Sequence, residues 1–244
     1  MTPFFMAWGM FCAIPCPVKK WDQDKYPGML LSMPFIGLMI GALWMLAARG
    51  FTLWGQAKFF AAALLAVFPS LLSGFIHLDG YMDCSDAVLS RRDLETRRKI
   101  LKDSHVGSFA VISFSLWLLF SFSLFAGMDW AGKELCLLCI PAVTRSVSAT
   151  AVLSFTPMST SGYAKMPESV RPFHKWMAVG EMLAFAAAGV LLCGVSGWCV
   201  TAAAVGSWAT ILFLRHDLQG MSGDISGSAI TVGELCGVLA MAVL

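Results

Sequence analysis

Long apolar stretches separated by short polar ones make up most of the chain. A bilayer core of about 30 Å needs roughly 20 apolar residues in helical form. Seven stretches suit that length: 28–48, 57–76, 109–128, 135–156, 177–195, 197–214 and 226–244. Only the glycine-rich Gly194–Gly197 separates the fifth from the sixth, which predicts a tight turn there. Phe4–Ile14 is apolar but too short to span and ends at Pro15 and Pro17, so it predicts an interfacial or half-inserted helix. The expected fold is all-α: a polytopic transmembrane bundle of about seven spanning helices with a short N-terminal interfacial helix. One integral membrane domain over 1–244 is expected, because no linker, repeat or low-complexity segment divides the chain. The first apolar run has no basic flank before it and no small-x-small site after it, so no cleavable signal is expected.

Composition agrees with this pattern. Hydrophobic residues are 58% of the chain and charged residues 13%, about half of the roughly 25% charge usual in soluble domains. That is too little charge to solvate a globular surface. The net charge of +2 says little; its arrangement says more. Threading the chain through seven spans puts thirteen of the seventeen lysines and arginines, Lys165 among them, on one side. Arg49, Lys58 and Lys133 fall on the other side, and Arg145 falls inside a span. The positive-inside bias makes the first side cytoplasmic, with the N-terminus inside. All four histidines fall on that same side. Eight cysteines are scattered along the chain, Cys136 and Cys139 as an isolated C-x-x-C. They read as small buried apolar residues, since a zinc site would need two more ligands nearby.

The chemistry concentrates in residues 77–108. On a helix starting at His77, Asp79, Asp83 and Asp86 stand at i, i+4 and i+7, within about 60° of one another. Three like charges on one stripe near a bilayer repel unless a cation neutralises them. Carboxylates alone favour a hard ion, Mg²⁺ or Mn²⁺, over zinc; a solvated acidic face is the plainer alternative. Ser90-x-x-Asp93 resembles a capping box opening a second helix that ends at Asp103-Ser104. A helical hairpin there would return Asp103 beside the Asp79 stripe as a fourth ligand. Arg98 and Lys102 could hold phosphates, while the basic cluster as a whole could equally fix topology or touch anionic lipid. Another loop, Arg215-His-Asp-Leu-Gln-Gly-Met-Ser-Gly-Asp224-Ile-Ser-Gly227, permits tight turns and close backbone approach to a ligand at Gly220, Gly223 and Gly227, and Asp224 could serve as a further metal or substrate ligand. Ionisable Arg145, Glu181 and Glu234 lie within spans; Arg145 could pair with Glu234 or face a substrate cavity. Gly37-x-x-x-Gly41 predicts helix packing.

The run HLDGYMDCSDA followed by RRKILKDSHVGSFAV resembles the signature of the cobalamin synthase family, adenosylcobinamide-GDP ribazoletransferases. LQGMSGDISGS, AIPCPV, FIGLMIGAL and Arg145 also resemble family positions, so the likeness runs through nearly the whole chain in matching order. Departures fall at Ala87, Ala110, Gln219 and Ser222, where the family pattern has glycine, glycine, glycine and threonine. The resemblance implies a Mg²⁺-dependent enzyme of the bacterial or archaeal cytoplasmic membrane. It would join adenosylcobinamide-GDP to α-ribazole, or to its 5′-phosphate, and release GMP. The implied catalytic set is Asp79, Asp83, Asp86, Asp103 and His77, the four aspartates as metal ligands. Arg98, Lys102, Ser104, Arg145, Gly223 and Asp224 would bind substrate. The bilayer is the expected surrounding, nucleic acid is not an expected partner, and a homo-oligomer is left open. Two other readings compete. A CDP-alcohol phosphotransferase would need Ala-Arg where Met82-Asp83 stands. A transporter would use Arg145, Glu181 and Glu234 as an ion relay, with its acids at the midplane.

Overall fold

The computed structural model describes residues 2–158, 161 and 170–244; Lys165, counted above on the basic side, lies outside them. Among the described residues ten α-helices follow in order: α1 Thr2–Phe11, α2 Tyr26–Trp54, α3 Lys58–Leu72, α4 Ile76–Leu89, α5 Leu94–Ile100, α6 Ser108–Gly127, α7 Glu134–Ser154, α8 Pro172–Cys193, α9 Trp198–Leu218 and α10 Gly223–Val243. Among the described residues no strand forms, and a single bridge joins Pro157 to Met221. This is the expected helical membrane bundle.

Helix α7 is its axis. Apart from Leu135, Leu138 and Ser154, every α7 residue is buried, under α2, α8, α9 and α10. The predicted small-residue motif explains how α2 approaches so closely. A side chain on Gly37 would stand 2.7 Å from Ala142 Cα, and one on Gly41 would stand 2.9 Å from the Leu137 carbonyl oxygen. Without a Cβ the two backbones touch and gain dispersion contacts that lipid tails cannot supply. The periphery carries the opposite signature. Leu119, Phe120, Leu191, Leu212 and Val243 point outward, which costs nothing against hydrocarbon.

Most of the seven predicted spans coincide with long helices. Gln23–Trp54, Ser108–Gly127, Glu134–Ser154, Pro172–Leu218 and Gly223–Val243 have the length and apolarity to cross. The segment Pro172–Leu218 folds back on itself, since Trp208 Nε1 donates to Met182 Sδ at 3.1 Å from the opposite arm. Its Gly194–Gly197 turn is the predicted one, a short 3₁₀ stretch. The stretch 57–76 differs from expectation. Helix α3 is 15 residues long and stops at Leu72, and the chain bends by 92° into α4. Pro69 near the end of α3 and a Ser73–Phe75 turn with positive φ at Gly74 and Phe75 produce the break. The short N-terminal helix α1 packs on α2, burying Met6, Ala7 and Phe11, and Phe11 stacks on His77.

Contacts sort the connections into two ends. At one end, Arg97 pairs with Asp217, and Met158 N–H donates to the Met221 carbonyl at 2.8 Å. At the other, Arg49 pairs with Glu134, Lys133 Nζ reaches the Met241 carbonyl at 3.0 Å, and Cys136 approaches Ser196.

Candidate active site

The site lies where α4 crosses the start of α10. A side chain on Gly80 would stand 2.8 Å from the Asp224 carbonyl oxygen, and one on Gly227 would stand 2.9 Å from the His77 carbonyl oxygen. Ser228 Oγ donates to the Gly80 carbonyl at 3.1 Å and pins the crossing. Two glycines on facing helices thus let segments more than 140 residues apart meet backbone to backbone. Their acids meet as a consequence: the Asp83 carboxyl lies within Coulombic reach of Asp79, Asp86 and Asp224. Asp224 in turn feels Asp79 and the ammonium of Lys102.

Helix α4 confirms the geometry of the acidic stripe, but its three members have different surroundings. Asp79 is exposed and Asp83 half-buried. Asp86 accepts the backbone N–H of Gly107 at 2.7 Å and of Ala110 at 3.0 Å. These are two of the donors that a helix start leaves without partners, and the α6 dipole adds to their pull on a carboxylate. Gly107 has no alternative residue there, because a Cβ would stand 2.6 Å from the Asp86 carboxyl carbon.

The structure does not gather Asp103 in the way the sequence suggests. Its side chain is 55% exposed and is engaged by His105, whose backbone N–H and Nδ1 lie 3.1 and 2.6 Å from Oδ1. The reason is the path of α5. The capping box expected at Ser90 does not form, since Ser90 Oγ donates to the Ala87 carbonyl and closes α4. Asp93 caps α5 instead, accepting from Thr96 N–H at 3.0 Å, and α5 ends at Ile100. Arg97 and Arg98 then fasten α5 to the end of α9. Arg98 Nε donates to the Leu218 carbonyl at 3.0 Å and Nη2 to the Gln219 carbonyl at 2.7 Å. Its guanidinium therefore holds the α9–α10 loop. The chain returns to α4 at Gly107, four residues after Asp103. The further acid that the fold brings to Asp79 and Asp83 is Asp224, which the sequence offered as a further metal or substrate ligand. Gly227, three residues after it, makes the close approach to the His77 backbone of α4, an approach the sequence offered for a ligand rather than for a helix.

The floor beneath the acids is polar and closed. Arg145 is fully buried and donates through Nη1 to Glu234 Oε1 at 2.7 Å and to the Pro141 carbonyl at 3.1 Å. Of the two roles open to Arg145, pairing with Glu234 is the one this geometry shows. His77 is 5% exposed and lies within Coulombic reach of Arg145. Both its ring nitrogens, and Nε and Nη2 of Arg145, are buried without a hydrogen-bond partner. Ser104 and Gly223 are exposed at the mouth. Among the described residues no three His, Cys, Asp or Glu side chains converge tightly enough to cage a metal ion. The acids are nonetheless all hard oxygen donors. Mg²⁺ is commonly held by one or two carboxylates plus substrate phosphates and water, without a protein cage. The residues present fit that mode.

A helical membrane bundle with an acid-lined site at one end defines the class: an integral membrane protein with a cluster of carboxylates at one end of its helices. The family follows from comparison. Residues 3–242 match the family model of cobalamin-5-phosphate synthase, and the chain belongs to that family. An adenosylcobinamide-GDP ribazoletransferase of Clostridium perfringens is 34% identical over 243 residues, covering 98% of this chain and 96% of its own. Proteins of the same name from Desulfitobacterium hafniense and Geobacillus thermodenitrificans are each 33% identical over at least 95% of this chain and 91% of theirs. No solved structure matches.

Proposed function

We propose that this chain is a phosphotransferase that transfers the adenosylcobinamide phosphate unit from adenosylcobinamide-GDP to α-ribazole or its 5′-phosphate, releasing GMP. The observation that supports it best is the meeting of Asp79, Asp83 and Asp224 at the α4–α10 crossing, within the two segments that resemble the family signature. Such a cluster suits a diphosphate accompanied by a divalent cation. One or two carboxylates of the group Asp79, Asp83 and Asp224 would hold Mg²⁺, or Mn²⁺ in its place, together with the substrate's phosphates and water. Bound there, the ion would neutralise charge on the diphosphate oxygens.

The protein's own side chains do the rest. Lys102, beside Asp224, neutralises phosphate charge. The acceptor hydroxyl attacks the phosphorus on the cobinamide side; that P–O bond forms as the bond to the GMP oxygen breaks. A carboxylate of the Asp79–Asp83 pair takes the hydroxyl proton. Asp103, exposed and engaged by His105, is outside this group. His77, closed beneath Phe11, orients the α4 start. Positioning and charge complementarity supply most of the rate, as in phosphoryl transfer generally. With lysine and arginine concentrated on the site end, that end faces the cytoplasm by the positive-inside bias, where nucleotide-activated substrates are made.

The test is GMP release from adenosylcobinamide-GDP and α-ribazole with Mg²⁺, for wild type and Asp→Asn at 79, 83, 103 and 224. Loss of at least 100-fold at Asp79, Asp83 and Asp224, with folding retained, is expected. Near-normal turnover in Asp79→Asn and Asp83→Asn would reject the reading. Activity with CDP-alcohols in place of cobinamide-GDP would favour the other phosphotransferase class.

A further inference from the structure

The C-x-x-C of α7 is isolated in the sequence but not in the fold. At the end of the bundle opposite the acids, the α8–α9 turn presses two more cysteines onto it. The turn closes tightly because its crossing points carry no side chains: a Cβ on Gly197 would collide with the Gly189 carbonyl, and one on Gly189 would stand 2.6 Å from a Val200 methyl. Cys136 Sγ lies 3.6 Å from the Ser196 carbonyl oxygen in the turn itself. Around it, the Cys136 thiol is within hydrogen-bonding reach of Cys199 and Cys193, and the Cys139 thiol is within reach of Cys193. Cys136, Cys139 and Cys199 are buried, while Cys193 is partly exposed at the turn.

We propose that these four cysteines pair as two disulfides, Cys136–Cys199 and Cys139–Cys193, which fasten the α8–α9 turn to the start of α7. The partition follows from the contacts, since Cys139 faces Cys193 across the interface and leaves Cys136 to Cys199. A helix cannot satisfy the same need by joining its own Cys136 and Cys139, because that bond would tie two adjacent turns and constrain nothing between helices. Chemically each bond forms by exchange with a low-molecular-weight disulfide. A cysteine thiolate attacks one sulfur of the reagent and expels a thiolate. The second cysteine then attacks the mixed disulfide, so two cysteine protons end on two reagent thiols. Cys193, at the surface, is the entry point for both: Cys136 attacks its mixed disulfide, Cys199 then attacks Cys136 and releases Cys193, and Cys193 takes a second reagent molecule and pairs with Cys139. If the acid site is cytoplasmic, as proposed above, this end faces the outer compartment, where disulfides persist. The four cysteines at 12, 16, 84 and 236 lie elsewhere and stay reduced.

The experiment uses the full-length protein in detergent, incubated with oxidised glutathione, alkylated in denaturant and digested without reductant. Of eight thiols, four should remain alkylatable, and the cross-linked peptides should join Cys136 to Cys199 and Cys139 to Cys193. Cys193→Ala should abolish both cross-links, because it removes the one thiol of the four that meets the reagent. Eight alkylatable thiols after oxidation, or a Cys136–Cys139 cross-link, would overturn the proposal. So would one equivalent of tightly bound zinc that disappears in Cys136→Ala, since the thiols would then be ligands. Wild-type mapping needs no variant to fold and no turnover, so its failure is distinct from failure of the assigned activity.

Discussion

Asp86 and Gly107 are joined so that the carboxylate of the first occupies the space a side chain on the second would need. This one contact splits the acidic stripe by role, because Asp86 serves the start of α6 while Asp79 and Asp83 face the mouth of the site.

The split is measurable. Asp86→Ala should lower stability by about 1.5–3 kcal/mol, the worth of hydrogen bonds to a charged acceptor. Asp83→Asn should leave stability unchanged or slightly raised, because it removes repulsion from three neighbouring carboxylates, yet it should abolish GMP release. Thermal unfolding in detergent read beside turnover separates the two outcomes. Equal destabilisation in both variants would refute the division.

Gly107→Ala and Gly80→Ala should each cost more than their size suggests. In both, the new methyl meets atoms that cannot yield, the Asp86 carboxyl in one and the Asp224 backbone in the other. Overpacking of this kind costs about 1–3 kcal/mol. Gly80→Ala should also separate α4 from α10 and reduce turnover at least tenfold, whereas Gly50→Ala, where nothing lies within 4 Å, should be silent.

Breaking the buried Arg145–Glu234 pair should be costly and repairable. Glu234→Gln leaves a buried guanidinium short of its counter-charge and should destabilise by roughly 3–5 kcal/mol. The double variant Arg145→Met, Glu234→Leu should recover most of that stability while remaining inactive if the floor of the site needs its polar groups. A double variant no more stable than Glu234→Gln would contradict the pairing.

His105 offers a pH readout at the rim. Its hydrogen bond and charge attraction to Asp103 raise its pKa above the ordinary 6.5, and the same contact holds Asp103 below 3.8. A raised histidine pKa stabilises the contact below pH 6.5, and the benefit fades as pH climbs through the folded value. A depressed carboxylate does so above 3.8, and its benefit fades as pH falls. The contact is therefore strongest between about pH 4 and 6.5. An NMR titration should place the His105 midpoint above 6.5, and Asp103→Asn should bring it back down.

Gln219 stands in the left-handed region, φ +52°, at the end of α9, where the family pattern has glycine. Such a conformation costs a non-glycine residue roughly 1 kcal/mol or more. Gln219→Gly should raise stability by about that amount in the same thermal measurement. The Arg98 bond to the Gln219 carbonyl is what holds the strained residue, so Arg98→Ala should loosen the loop that carries Asp224.

Apolar run lengths alone determined that this chain is a helical bundle for a bilayer, because hydrocarbon leaves backbone groups no partner outside a helix. Local spacing alone determined the acidic stripe, since i, i+4 and i+7 fall on one face of any helix. Which acid completes the group was a tertiary matter. The choice of Asp224 over Asp103 depends on the path of α5, fixed by Arg97 and Arg98 on α9, and on a Gly80 contact with α10. Pairings between residues over a hundred positions apart leave no periodic trace in the sequence. The same holds for the cysteines, a lone C-x-x-C in the sequence and a group of four in the fold.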